Sequence, residues 1–350
     1  MAPGGEEFID VSALGSTIRI RFDRQMTSDV VDRVRSVWSS ASTTGNIAPD
    51  GDLLVGGDHD EERMLEQLSQ RLTLQALDHR RGDLVMFHAA GIALDDGSVI
   101  AFVGPSGRGK TTLSRALGTR YGYVSDETVG IDLEGRVLPY RKPLSVVSGA
   151  ATKAQVSPAE AGLKDLPPAP LRLAAIVLLN RDPEHVEPHV EPVPFSDALT
   201  ELVPQLSYLA ELTTPLETLS TLCSRVGGIK RLSYAEVNTV GDVITQLLEP
   251  AAAEQWKSVR ALPTSSDLTP AEGAEAISDG TRTVVLIERT IHVLDGIAPV
   301  VWQAVSDGLD IDGIVTAVID RHGTPTNGAA RDLIDLALLD MVKAGVLRRR

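Results

Sequence analysis

Val99-Ile-Ala-Phe-Val-Gly-Pro-Ser-Gly-Arg-Gly-Lys-Thr-Thr-Leu113 is an apolar run, then a glycine-rich turn, then the start of a helical pattern. The turn fits GxxxxGK[ST], with Gly104, Gly109, Lys110 and Thr111 on the fixed positions. Glycines at this spacing let successive backbone N–H groups converge on phosphate oxygens, and the following helix N-terminus adds partial positive charge. The lysine of such a loop reaches the outer phosphates, and the next hydroxyl ligates magnesium. The stretch therefore predicts that Gly104, Pro105, Ser106, Gly107, Arg108, Gly109, Lys110, Thr111 and Thr112 hold ATP, with Thr111 on Mg2+. It does not say whether the terminal phosphate goes to water, to a protein or nowhere.

Upstream, residues 84–94 and 99–103 read as two strands, and Asp95-Asp96-Gly97 between them is a hairpin signal. Downstream, a short helix over about 110–118 leads into Tyr123-Val-Ser-Asp-Glu-Thr-Val-Gly-Ile-Asp132. A helix of about ten residues spans only about 15 Å. The next strand is thus expected beside the loop's own strand and parallel to it, through a right-handed crossover. That brings Asp126 and Glu127 to the phosphates. One carboxylate can hold the metal while the other takes a proton from an incoming hydroxyl. Alternation along a strand sends the two to opposite faces, so they are expected to do different jobs, unless the strand's end twists enough to let both approach the site, when the roles can be exchanged. A strand-end pair making caps and turns is the other reading.

Three segments carry a resemblance. His88-Ala-Ala-Gly-Ile-Ala-Leu94, the loop from Gly104 to Leu113, and Gly122-Tyr-Val-Ser-Asp-Glu-Thr-Val-Gly-Ile-Asp132 resemble the HPr kinase/phosphorylase superfamily. More narrowly, they are similar to the HPr-kinase-like proteins found beside ribosomally made, modified peptides such as lasso peptides. The resemblance covers about 84–144 and fades through Tyr234. It implies an α/β, HPr-kinase-like P-loop domain with a mixed sheet. It also implies that Asp126 is the base on a serine hydroxyl, that Glu127 stands nearer the magnesium, and that His88 on the preceding strand joins the catalytic group. Two departures stand out. Glu127 replaces an aspartate, and the later Glu-x-x-Arg-Gly-x-Gly signature is missing. Arg141, Lys142 and Arg181 are the candidates for the positive charge that signature would bring.

The 350 residues are 43% hydrophobic but only 4% aromatic, so aliphatic side chains must fill the cores. A net charge of −15 argues against a general affinity for nucleic acid. Cys223, the single cysteine, sits at helical spacing among apolar residues and reads as core. No apolar stretch reaches membrane length, and a cytoplasmic location is expected. His59, His79, His185, His189, His292 and His322 show no metal-ligand spacing.

Further out, residues 16–22 alternate as a strand, 27–37 and 60–80 repeat as helices, and 39–57 read as loop. Residues 173–179 are a candidate central strand, and 198–248 look mostly helical. The domains are therefore expected at 1–82 and 83–248, a linker at 249–280, and a module at 281–350. That module reads as two strands and three helices. Ile297, Val300, Val301, Ala304 and Val305 form one core stripe, and Ile311, Ile314, Val315, Val318 and Ile319 a second. Leu333, Leu336, Leu339 and Val342 are expected to form a third. A helical cap or a DNA-binding winged helix would fit this order, although Asp332, Asp335 and Asp340 make a poor face for phosphates. Arg282-Thr-Val-Val-Leu-Ile-Glu288, Ile291-His-Val-Leu-Asp-Gly-Ile-Ala-Pro-Val-Val-Trp302, Asp307-Gly308 and Leu338-Leu-Asp-Met-Val-Lys-Ala-Gly-Val-Leu347 are similar to the PqqD family. This resemblance implies a winged-helix-like domain that captures a precursor's leader peptide by strand addition. Together the two resemblances imply an ATP- and Mg2+-dependent serine or threonine kinase of a ribosomally made peptide, working beside other peptide-modification enzymes. The rival expectations are a nucleotide-gated peptide chaperone and an ATPase driving a partner's chemistry.

Overall fold

The structure is a computed structural model that describes residues 7–45, 47–56, 60–147, 153–251, 254–260 and 267–349. His59 and Arg350 lie outside these residues. Two compact units emerge, each made of several chain segments. The first comprises 1–193, 204–212 and 226–251; the second comprises 194–203, 213–225 and 252–350.

The first unit opens with an antiparallel hairpin, β1 (Phe8–Ala13) and β2 (Ser16–Phe22). Burial alternates along β2 as its sequence does. After α1 (Ser28–Val37), β3 (Gly51–Val55) adds parallel to β2, inside the stretch expected to be loop. Leu53 and Val55 are its inward residues. Next comes α2 (Glu61–His79), started by Asp60, whose carboxylate accepts from the Arg63 N–H. Its Met64, Leu65, Leu68 and Leu72 are buried with Trp38 and the strands of the hairpin.

The main sheet follows. Its strands are β4 (Val85–Ala93), β5 (Ser98–Val103), β6 (Gly122–Ser125), β7 (Thr128–Ile131) and β8 (Val137–Leu138), with α3 (Lys110–Gly118) after β5. A small pair, β9 (Leu144–Val147) and β10 (Lys153–Val156), precedes β11 (Arg172–Arg181) and β12 (His189–Val193). The chain then leaves for α4 (Phe195–Leu202) and returns for β13 (Leu206–Ser207). It leaves again for α5 (Pro215–Arg225) and returns for β14 (Ile229–Tyr234) and α6 (Ile244–Leu248). The order is β12-β14-β11-β5-β4-β7-β8, with β6 and β13 also on β4. The sheet is mixed: β5, β11 and β14 run parallel, and β4 is antiparallel to β5, β6 and β7. The architecture is therefore α/β.

Two expectations are corrected here. The strand after the loop helix, β6, does not lie beside β5; β4 lies between them, and β11 is the parallel neighbour of β5. Residues 198–248 are helical over most of their length, but they also hold β14, an interior strand of the main sheet that the helical reading missed. Its Lys230 is buried, with its ammonium donating to the Leu247 carbonyl, so a charged residue stands where an apolar one would have signalled a strand.

In the second unit, β15 (Lys257–Val259), β17 (Glu275–Ser278), β18 (Thr283–Ile287) and β19 (Thr290–Leu294) form an antiparallel sheet in that order. Between the first two, β16 (Leu268–Pro270) pairs with the terminal β20 (Leu347–Arg349). The expected linker thus contains three strands. Helices α7 (Ala298–Ser306), α8 (Ile311–His322) and α9 (Ala330–Lys343) follow β19. The Glu275 carboxylate accepts from the Leu216 and Glu217 N–H groups, capping α5 from β17. The first two apolar stripes enter the core, but of the third only Val342 packs against it. Leu333, Leu336 and Leu339 are exposed, and Ile334, Leu338 and Met341 are the buried face of α9. Both sets have helical spacing, so periodicity alone could not choose between them. No helix among the described residues is long and apolar enough to cross a membrane.

Candidate functional site

β5 is buried from Val99 to Val103 and delivers the glycine loop at its end. Gly107 and Gly109 have φ of +83° and +87°, in the left-handed region that side chains avoid. A Cβ on Gly107 would meet nothing within 4 Å, so conformation is what demands glycine there. Pro105 to Arg108 are exposed, Thr111 opens α3 half-buried, and Thr112 faces outward. Lys110 is buried; its ammonium donates to the carbonyls of Gly104 at 2.6 Å and Pro105 at 3.2 Å. Burial lowers its pKa, against the opposing pull of Glu127 and Asp126. Two left-handed glycines, an exposed backbone turn, a helix N-terminus and a lysine lying over the turn suit a phosphate chain, and the Thr111 hydroxyl suits its magnesium.

The acidic pair sits in the corner between β6 and β7. Ser125 shapes that corner: its hydroxyl oxygen accepts from the N–H groups of Glu127 at 3.2 Å and Thr128 at 3.1 Å. The pair is therefore off the strands, and alternation does not separate it. The ammonium of Lys142 lies 3.7 Å from Asp126 Oδ1 and 3.6 Å from Glu127 Oε2. This corrects the expectation of opposite faces. Asp126 is buried, and the Tyr123 hydroxyl donates to its Oδ1 at 2.9 Å. Burial beside that carboxylate pushes the Tyr123 pKa well above its ordinary value. Glu127 is more open and lies 3.5 Å from His88 Nδ1 through Oε1. Gly91 on β4 permits the approach of this corner, since a Cβ there would stand 2.9 Å from Val129 and 3.1 Å from Val124.

His88, Asp126, Glu127 and Lys142 thus form one cluster, and Lys110 is close enough to act on the first three electrostatically. Of the three cations noted in sequence, only Lys142 joins it. Arg141 pairs with Asp165 at 2.9 Å, and Arg181 donates to the Ala235 carbonyl. Tyr123 was not foreseen; its place three residues before Asp126, in a buried strand, is the only sequence signal.

Burial, and then the charge of Lys110, lower the pKa of His88; Glu127 and Asp126 oppose them. An NMR titration should place the His88 midpoint below the ordinary histidine value. Lys110→Ala should raise it, because a neighbouring positive charge disappears. A midpoint that Lys110→Ala leaves in place would separate the lysine from the acidic cluster.

No protein-family model matches the chain. Over 63 residues it is 38% identical to the cytochrome c biogenesis ATP-binding export protein CcmA of Nitrosococcus oceani. That match spans 18% of this chain and 29% of that protein's length. The Hpr(Ser) kinase/phosphatase from Coxiella burnetii aligns with 46% of this chain and 93% of its own, at 13% identity and a TM-score of 0.27. A superposition of that quality does not establish a shared fold.

Proposed function

We propose that the first unit is an ATP- and Mg2+-dependent kinase that phosphorylates a serine or threonine hydroxyl of a ribosomally made precursor peptide, and that the second unit captures the peptide. The observation that carries this reading is the convergence of Asp126 and Glu127 on Lys142 beside the loop lysine. Attack on the γ-phosphorus by water or by a peptide hydroxyl alike releases a proton that a carboxylate can take. A buried carboxylate fixed at one oxygen by a tyrosine is suited to deprotonating a hydroxyl. ATP-binding in the relative that shares 63 residues supports the nucleotide.

In this mechanism the loop backbone and Lys110 cradle the phosphates. Magnesium, held by Thr111 and Glu127, would offset charge on the transferring group. Asp126 Oδ1 accepts from Tyr123, which leaves Oδ2 for the incoming hydroxyl. The hydroxyl proton passes to Asp126, its oxygen bonds to the γ-phosphorus, and the bond to the ADP oxygen breaks. His88 orients Glu127 as a neutral imidazole.

For capture, two features of the second unit are suited to an extended peptide. β19 is an edge strand: no strand among the described residues pairs with its outer side. Leu333, Leu336 and Leu339 offer an exposed apolar stripe on α9. Strand addition with side-chain anchoring uses such parts. Leu336→Asp should therefore weaken leader binding by about tenfold or more while leaving the melting temperature nearly unchanged, since Leu336 is exposed. Titration of the full chain with the leader checks this; equal affinity would remove α9 from the interface.

The deciding experiment incubates the protein with ATP, magnesium and a candidate precursor peptide, sought as a short reading frame beside the protein's own, and weighs the peptide by mass spectrometry. A gain of one phosphoryl group supports the reading. Binding of ATP and peptide with no mass change would replace it by the nucleotide-gated chaperone.

A further inference from the structure

Lys142 is the least expected member of the cluster. Its side chain is 5% exposed, and its one short hydrogen bond is to the Pro143 carbonyl at 3.2 Å. A buried ammonium is costly unless countercharge stands nearby. Here the countercharge is two adjacent carboxylates, at 3.7 and 3.6 Å. The converse matters more. Asp126 and Glu127 side by side present two negative charges where a triphosphate has to lie. Lys110 is one cation, and it is committed to the loop. Two carboxylates against Lys110 alone leave a net negative site; with Lys142 the charges balance.

We propose that Lys142 is the internal counter-cation of the acidic pair, a positioning residue that neutralises Asp126 and Glu127 so that a polyphosphate can lie against them before any metal binds. The proposal rests on the reading of the loop as a nucleotide site. It deepens that reading by giving this chain its own replacement for the positive charge that the absent Glu-x-x-Arg-Gly-x-Gly segment would have brought. It also orders the events: nucleotide entry does not require prior metal, because the carboxylates already carry a cation. A divalent ion arriving with the nucleotide then competes with Lys142 for Glu127, the more open of the two acids.

The test is equilibrium binding, which needs no phosphoryl transfer. ATP affinity is measured by calorimetry in chelator, and Mn2+ affinity by electron paramagnetic resonance without nucleotide, for wild type, Lys142→Gln and Lys142→Arg. Lys142→Gln should weaken metal-free ATP binding roughly tenfold or more, the scale expected for one unit charge removed a few ångströms from a phosphate chain. The same variant should tighten Mn2+ binding, since the carboxylates lose their resident cation. Lys142→Arg should restore both values to near wild type. A Lys142→Gln protein with unchanged metal-free ATP affinity overturns the proposal, as does an arginine variant as weak as the glutamine one. If melting curves show that Lys142→Gln does not fold, the double variant Lys142→Gln/Glu127→Gln removes one charge of each sign. It should bind metal-free ATP about as wild type does, and weak binding by that folded variant overturns the proposal. A wild type that binds no ATP sinks the nucleotide reading instead. The Mn2+ arm then still decides about Lys142, because an affinity unmoved by Lys142→Gln means that the lysine does not balance the pair.

Discussion

Asp126→Asn should not weaken ATP binding, and should tighten it in the absence of metal because one negative charge is gone, while lowering phosphopeptide formation by roughly 10²–10⁴-fold, the usual contribution of a positioned general base. Asparagine keeps the shape of the side chain and an oxygen for the Tyr123 hydroxyl, which donates to Asp126 Oδ1. Packing is therefore preserved, and what is lost is basicity. The variant also removes one of the two carboxylates near Lys142, so the glutamate partner needs parallel study. Glu127→Gln should instead weaken the magnesium dependence of nucleotide binding, because Glu127 is the more exposed acid and the one nearer His88. Quantitative mass spectrometry of the peptide, with calorimetry across magnesium concentrations, reads both. An Asp126→Asn enzyme that transfers phosphate at the normal rate would make this carboxylate a structural partner of Tyr123 and nothing more.

Lys110→Ala should weaken ATP binding by roughly a hundredfold or more, the scale of one or two charge-assisted hydrogen bonds to phosphate. The ammonium has to exchange the Gly104 and Pro105 carbonyls for phosphate oxygens, and no other lysine stands in the loop. Lys142 does not substitute for it, because that ammonium is held between Asp126 and Glu127. Calorimetry with ATP and magnesium decides the matter. Undiminished affinity would mean that the glycine loop is not the nucleotide site.

The parts of the fold that rest on local chemistry were legible in sequence. The loop, its flanking β5 and α3 and the hairpin at Asp95–Gly97 all follow from a few residues each. What failed was long-range pairing. Nothing local in Gly122 to Ser125 says that β4, rather than β5, will be its neighbour. β14 escaped because Lys230 and Arg231 interrupt its apolar pattern, and the Lys230 charge is met by groups far along the chain, the Leu247 carbonyl 17 residues later and the charge of Glu249. The site was readable as residue types but not as roles. Placing Asp126 and Glu127 on a strand separated them, whereas the Ser125 hydroxyl bends the chain and brings them together. Lys142 was one of three equivalent cations until burial and distance singled it out.

The chain passes between its two units at 193/194, 203/204, 212/213, 225/226 and 251/252. On the ribosome this has a temporal consequence. Helices α4 and α5 emerge before the rest of their own unit exists, and the N–H groups that open α5 wait for the Glu275 carboxylate, synthesised 59 residues after Leu216. The nucleotide loop is likewise made well before β14, which completes its sheet; the first unit has all its segments once Ala251 is made, whereas the second runs on to the end of the chain. No single truncation separates them. A chain begun at Thr281 would lack β17, with its buried Ala276 and Ile277, and the strand that β20 pairs with. Interleaved synthesis of this kind makes α4 and α5 wait for the later strands of their own unit, after the first unit's last segment has been made. A chain released between Ala251 and the end would hold every segment of the first unit but not of the second.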